Sequence, residues 1–269
     1  MSARTSPSEI PLRDLLNVAV DAAYLAGRRT LAHFNAEVAV ESKADSTPVT
    51  VADREAERVI RERIARFYPD HSILGEEQGA SSGADADWRW YIDPIDGTKS
   101  FIHGVPMYGV LVAVERRGRP VVGVVYLPAT DEMVAAADGM GCTWNGRTAR
   151  VSAASRLDQA TMNTSTITAS LDRSDAYENL IHKVKLNRGW GDAYGYVLVA
   201  TGRAEIMLDP VINPWDVAPM PVILREAGGR FTNWKGDETI QGPDGVATNG
   251  KLHDPVLAIL RAERRRPAR

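Results

Sequence analysis

The chain has 269 residues, of which 44% are hydrophobic and 25% charged, and its formal net charge is −3. This composition fits a soluble globular protein with one large domain or two closely packed ones, and it leaves no global basic field for nucleic acid or a membrane surface. A single cysteine, Cys142, excludes an intrachain disulfide and a Cys-based zinc cluster, and no run of about 18 apolar residues offers a membrane span.

Residues 1–12 are polar and contain proline, without the apolar core of a signal peptide, so a cytoplasmic enzyme is the expectation. Residues 12–34 read as a helix with Leu12, Leu15, Leu16, Ala19, Ala22, Ala23 and Ala26 along one stripe. Its alanines imply close approach to neighbouring elements. The polar residues 41–48 read as an extended loop. Val51–Phe67 is a second amphipathic helix, with Glu57–Arg61 and Glu62–Arg66 as i,i+4 pairs on its wet face. Residues 71–75 form a short strand running into Glu76 and Glu77, and the small polar residues 78–87 predict a mobile loop.

The stretch 90–98, Trp-Tyr-Ile-Asp-Pro-Ile-Asp-Gly-Thr, is the most informative of the chain. Its apolar start reads as a buried strand that Pro94 brings to a stop. Asp93 and Asp96 then flank the Ile95 carbonyl, Gly97 permits an unusual backbone angle, and Thr98 reads as a helix N-cap. Hard oxygens beside amide N–H groups suit Mg²⁺ together with phosphate. An ordinary Asp-Pro turn fits the same residues.

From Gly109 the pattern turns to strands at 110–114, 121–126, 131–137 and 143–151, with turns at Arg117-Gly118 and Asn145-Gly146. This is an antiparallel meander rather than a Rossmann repeat. Beyond residue 152 helices and strands alternate: 194–201 helical, 204–208 a strand, 222–227 a helix closed by Gly228-Gly229, and 230–233 a strand. The expected fold is α/β, an α+β layered arrangement of two joined subdomains, 1–151 and 152–269, the second completing the site.

Asp53, Glu76 with Glu77, Asp93 with Asp96, and Asp216 each sit where a strand or loop ends and a helix could begin. Adjacent carboxylates repel unless a cation neutralises them, although each acid alone also fits a helix cap or a surface charge. Trp90-x-Ile-Asp93-Pro-Ile-Asp96-Gly-Thr98, with Gly75-Glu76-Glu77 upstream, is one recognisable signature, and Trp215-Asp216-x-Ala218 followed by Glu226-Ala-Gly-Gly229 is another. In these the chain resembles the inositol monophosphatase superfamily of Mg²⁺-dependent, lithium-sensitive phosphatases over residues 12–260. Residues 43–53, 191–195 and 247–254 are most similar to its bacterial histidinol-phosphate phosphatases.

The resemblance implies α-β-α-β-α layers of the inositol monophosphatase and fructose-bisphosphatase type. It implies hydrolysis of a small phosphorylated metabolite by metal-activated water, with about two to three Mg²⁺ ions. It also implies a homodimer, with neither nucleic acid nor membrane as partner. Carried over by residue, Glu76, Asp93 and the Ile95 carbonyl hold a first metal, and Asp93, Asp96 and Asp216 a second. Glu76 reaches a third with Glu77 or a water. Asp53 and Thr98 orient and deprotonate the attacking water. The phosphoryl group loads onto the Gly97 and Thr98 amides, with Lys43 either adding charge there or standing as a surface lysine. Asp192 and Asp209 surround the alcohol portion, with Ala193 and Trp190 beside them. An aspartate at 192 suits a cationic substrate such as L-histidinol phosphate, and it also reads as a cap for the helix that follows.

Inositol-1-phosphatase is the nearest rival, followed by a sugar bisphosphatase or nucleotide phosphatase, and then by a non-catalytic metal-binding module. Pro219 and Pro221 depart from the family pattern and predict a helix that starts late or bends after Asp216. His33, His71, His103, His182 and His253 show no metal-ligand spacing. The remaining tryptophans read as packing residues. The basic run of Arg261, Arg264, Arg265, Arg266 and Arg269 reads as a solvated tail.

Overall fold

Alanine spacing lets two helices lie close on one sheet. In the computed structural model, which describes residues 10–36, 40–42 and 48–262, helix α1 (Leu12–Leu31) buries Ala19, Ala22, Ala23 and Ala26. A two-stranded ribbon of β1 (Val40–Ser42) and β2 (Pro48–Thr50) leads into α2 (Val51–Phe67). There follow β3 (His71–Gly75), β4 (Gly79–Ser81), the long β5 (Asp85–Asp96) and the short helix α3 (Thr98–Ile102). The meander of β6 (Gly109–Arg116), β7 (Arg119–Leu127), β8 (Glu132–Ala137), β9 (Cys142–Trp144) and β10 (Arg147–Thr148) completes an eight-stranded sheet in the order β10-β9-β8-β7-β6-β5-β3-β4.

The second half carries β11 (Thr161–Thr164), α4 (Ile167–Arg173), α5 (Asp175–Ile181), β12 (Leu186–Arg188), α6 (Asp192–Ala200) and β13 (Ile206–Asp209). It continues with α7 (Pro214–Val217), α8 (Met220–Ala227), β14 (Arg230–Thr232), β15 (Gly245–Thr248) and α9 (His253–Ala262). Its five-stranded sheet runs β12-β11-β13-β15-β14, with β11 parallel to both neighbours and the other pairs antiparallel.

Side-chain alternation stacks these parts into five layers. Trp90, Ile92, Val112 and Val124 face α1 and α2, whereas Tyr91, Leu111, Ala113 and Val125 face α6 and α8. Both faces of the large sheet are therefore buried, which explains its near-continuous apolar strands. On the smaller sheet Met207 and Ala247 meet α6 and α8, while Met162, Ile206 and Val246 meet α5 and α9.

Several local expectations are corrected. The first helix ends at Leu31, and residues 32–34 turn toward Asn35, whose φ is +59°. Residues 78–87 are not simply a loop. Small polar side chains leave the backbone free to pair, and Ala80 lies opposite Leu74 while Asp85 N donates to Asp70 O at 2.8 Å. Pro94 does not stop β5, because it falls inside a bulge between Asp93, opposite Leu111, and Asp96, opposite Gly109, where no ladder N–H is needed. Glu57 is fully buried rather than wet, and Glu62 pairs with Arg58 rather than Arg66, at 2.7 Å. The helix after Asp216 breaks as expected: α7 ends at Val217 and Pro219 caps α8 with φ −70°. Lys43 and the arginines beyond 262 lie outside the described residues.

The joint between α7 and α8 rests on Gly123 of β7, where a Cβ would lie 2.5 Å from Pro219 O. Gly123→Ala should therefore lower stability by about 1–3 kcal/mol through overpacking, read as a drop in the urea midpoint; an unchanged midpoint would show that the joint gives way freely.

Candidate active site

Strands β3 and β5 run parallel, with Gly75 opposite Ile92, so their ends share one edge of the sheet. Glu76 leaves that edge with its N–H on Ile92 O at 3.2 Å. From there Glu76, Asp93, Ile95 and Asp96 line a cleft of about 390 Å³, which Gly97, Thr98 and Lys99 continue. The smaller sheet and its helices bring Asp192, Asp209 and Asp216 to the same cleft. A larger groove of about 550 Å³ lies elsewhere, but its acids Glu115 and Glu238 are bonded to Tyr91 and Arg225.

Local backbone geometry aims each acid. Asp93 Oδ1 accepts the Ile95 N–H at 3.0 Å across the bulge. Asp96 Oδ2 accepts the N–H of Ala193 in the first turn of α6, where the helix dipole favours negative charge. Asp216 closes a capping box with Asn213, accepting its N–H at 2.8 Å. Asp209 is held by the Ser165 hydroxyl and, at 3.2 Å, by the Tyr196 hydroxyl. Gly97, at φ +88°, turns the chain sharply into α3, and a Cβ there would meet Met107 O at 3.1 Å. Thr98 Oγ1 donates to Ile95 O at 3.0 Å, which leaves that carbonyl its second lone pair.

These segments feel one another electrostatically. Burial holds Asp93 well above the usual carboxylate range, and Glu76, Asp96 and Asp216 push it further. Asp96 is raised in the same way, by burial and then by Asp192, Asp216 and Asp209. Burial raises Asp216 to about 7 against the Asn213 N–H bond, and Asp209 to about 8 against the Ser165 bond. Asp192 rises to about 6 by burial, which Lys99 partly offsets. Such a surplus of hard anionic oxygens, with a carbonyl among them, is a donor set for a hard divalent cation. As they stand, among the described residues, no three His, Cys, Asp or Glu side chains are placed so that they could hold one metal ion together. The acids are gathered, not caged.

The family model described as "Inositol monophosphatase family" matches residues 12–265. The chain belongs to the inositol monophosphatase family. A histidinol-phosphatase of Chlorobaculum parvum is 40% identical over 93% of this chain and 98% of that relative. A protein of Aquifex aeolicus called fructose-1,6-bisphosphatase/inositol-1-monophosphatase is 34% identical over 82% and 85%. The crystal structure of extragenic suppressor protein suhB from Bartonella henselae superposes with a TM-score of 0.87 at 31% identity, covering 92% of this chain and 98% of that one. The layered fold is thus the inositol monophosphatase fold, and the chain is a phosphatase of that family.

Of the family residues expected here, Glu76, Asp93, Ile95, Asp96, Gly97, Thr98, Asp192, Asp209 and Asp216 line the cleft. Others do not. Asp53 is fully buried, with Oδ2 taking the Thr50 N–H at 2.8 Å and the Thr50 hydroxyl at 2.6 Å, while Oδ1 has no partner. Among the hydrogen bonds of the described residues, none joins Asp53 to Thr98. Glu77 turns its N–H to Glu57 at 2.7 Å. Ala193 is fully buried and serves through its backbone, and Trp190, 38% exposed, stands outside the wall that its neighbours Gly189 and Gly191 form. Thr98 is not the N-cap of α3, because Gly97 occupies that position. Nor does Asp192 cap α6: Gly191 is the cap, and Asp192 takes a left-handed φ of +52°.

Sequence reasoning missed Thr50, Glu57, Ser165, Thr166, Val211 and Asn213. Thr50-x-x-Asp53 and Asn213-x-x-Asp216 have capping-box spacing and could have been found. Ser165 gave no local signal. Among the described residues, no helix is long and apolar enough to cross a membrane.

Raised carboxylates have a definite consequence for stability. The folded chain, with Asp216 at about 7 and Asp209 at about 8, binds more protons than the unfolded chain, so its cation-free stability falls as pH rises from about 5 to about 8. Thermal melts in EDTA should show that slope, and Mg²⁺ should restore more stability at the alkaline end. A flat or reversed slope would contradict the account.

Proposed function

We propose that this phosphatase hydrolyses L-histidinol phosphate with the help of Mg²⁺. Glu76, Asp93, the Ile95 carbonyl, Asp96 and Asp216 would hold the divalent cations, for which their oxygen donors and raised carboxylates are suited. Bound there, such ions supply a more acidic water and neutralise the charge that develops on the leaving oxygen.

The protein's own groups do the rest. Gly97 and Thr98 present backbone amides to the phosphate. Helix α3 has only five residues, so these N–H groups rather than a macrodipole provide the attraction. The Thr98 hydroxyl orients the attacking water. Asp53, buried behind the cleft wall with Oδ1 left unpartnered by Thr50, would accept its proton only once cation and substrate binding bring the water within reach of that oxygen, and burial raises the carboxyl toward a useful basicity.

The observation that carries the choice of substrate is a surplus of acid. Asp192 and Asp209 line the cleft in addition to the four carboxylates assigned to cations. A neutral polyol would hydrogen-bond these acids but leave the charge of Asp192 unbalanced, whereas the ammonium or imidazole of L-histidinol phosphate would also offset it. The name of the Chlorobaculum relative supports the same reading. The name of the Aquifex relative favours inositol phosphate as the second reading.

Purified protein should turn over L-histidinol phosphate with at least about tenfold higher kcat/KM than inositol 1-phosphate, a difference of about 1.4 kcal/mol. Activity should vanish in excess EDTA and return with Mg²⁺. Asp192→Asn should weaken histidinol phosphate more than a neutral phosphomonoester; equal losses would remove Asp192 from substrate recognition, and preference for inositol phosphate would defeat the proposal.

A further inference from the structure

Glu57 follows Asp53 by one turn of α2, and Arg61 follows Glu57 by another, so the three share a helix face. That face meets the turn that leaves β3. Glu57 is 0% exposed. Its Oε2 accepts the Glu77 N–H at 2.7 Å, and its Oε1 accepts the Gln78 N–H at 3.0 Å and the Arg61 Nε at 2.7 Å. Arg61 reaches on to Gly79 O at 2.5 Å and Ser81 Oγ at 3.3 Å. The carboxylate passes directly over Gly75, where a Cβ would stand 2.4 Å from Glu57 Oε1.

A buried carboxylate with a guanidinium and two backbone donors is satisfied and holds its partners rigidly. Here the partners are the backbone of the segment that carries Glu76 and Glu77. The same helix carries Asp53, so one rigid element fixes these acids relative to each other.

The geometry points to Glu57 as a positioning residue that, braced by Arg61, fixes the turn bearing Glu76 and Glu77 and thereby sets the cleft's affinity for a divalent cation. Glu57 touches neither the cleft nor the reacting atoms and adds no unbalanced charge to the site. This inference rests on the reading of the cleft as a cation site. Groups that orient ligands from behind characteristically change metal affinity by about tenfold or more when altered.

The test uses Glu57→Gln, which keeps the side chain's size but offers one acceptor oxygen to three N–H donors, and Arg61→Met, which removes the brace and leaves Glu57. Equilibrium Mn²⁺ binding is measured by electron paramagnetic resonance without substrate, alongside circular dichroism and the Mg²⁺ dependence of turnover. Folded Glu57→Gln should bind Mn²⁺ about tenfold or more weakly and need correspondingly more Mg²⁺ for half-activation, while kcat at saturating Mg²⁺ stays within about threefold. Arg61→Met should shift Mn²⁺ affinity in the same direction. Wild-type Mn²⁺ affinity in folded Glu57→Gln overturns the inference, and so does a kcat loss at unchanged half-activation. Should Glu57→Gln fail to fold, wild-type affinity in Arg61→Met overturns it instead. A wild-type protein that binds no Mn²⁺ overturns the cation-site reading itself and this inference with it.

Discussion

Mutual repulsion among buried carboxylates is the constraint on which the site depends. Glu76, Asp93, Asp96, Asp192, Asp209 and Asp216 come from both sheets and from two helices, yet they share one cleft. Burial and mutual repulsion raise Asp93 and Asp96 together. Such an arrangement is unfavourable in isolation, and it persists only because the surrounding layers bury enough apolar surface to hold the segments in place. Tyr91 and Leu111 of the large sheet and Met207 and Ala247 of the small one belong to the same core cluster as α6 and α8, so the two halves of the site are fastened by one packed interior.

Backbone donors aim the acids, and a side-chain hydrogen bond between Asp93 and Glu76 adds to them. The Ile95, Ala193 and Asn213 N–H groups each take one carboxylate of the cleft. Each bond to a charged acceptor contributes about 1.5–3 kcal/mol, and together they fix orientation while leaving the acids' remaining lone pairs for a ligand. The bulge in β5 is what allows Asp93 and Asp96 to flank Ile95 at the wall of the cleft. Backbone bonds of this kind preorganise the acids, as electrostatic stabilisation requires.

Much of this was legible in the order of residues. The α2 boundaries, β3 and the β6–β8 meander followed from period and punctuation, and Pro219 and Pro221 foretold the break between α7 and α8. Convergence of the acids was not legible. Spacing along a chain carries no information on which strand ends meet across two sheets, and only the two family signatures suggested it. Burial of Glu57 was also hidden, because an i,i+4 Glu–Arg pair reads alike on a wet face and against a turn. Residues 78–87 misled because composition describes side chains, whereas strand pairing is made by the backbone. Asp192 misled because its left-handed φ is a property of the fold around Gly97 and α6 rather than of its neighbours in sequence.

The most direct measurement is anomalous diffraction from crystals of the protein grown with Mn²⁺ and inorganic phosphate. The account predicts Mn²⁺ peaks bounded by Glu76, Asp93, the Ile95 carbonyl, Asp96 and Asp216, with phosphate against the Gly97 and Thr98 amides. Peaks confined to other surfaces, with the cleft filled by water alone, would contradict it.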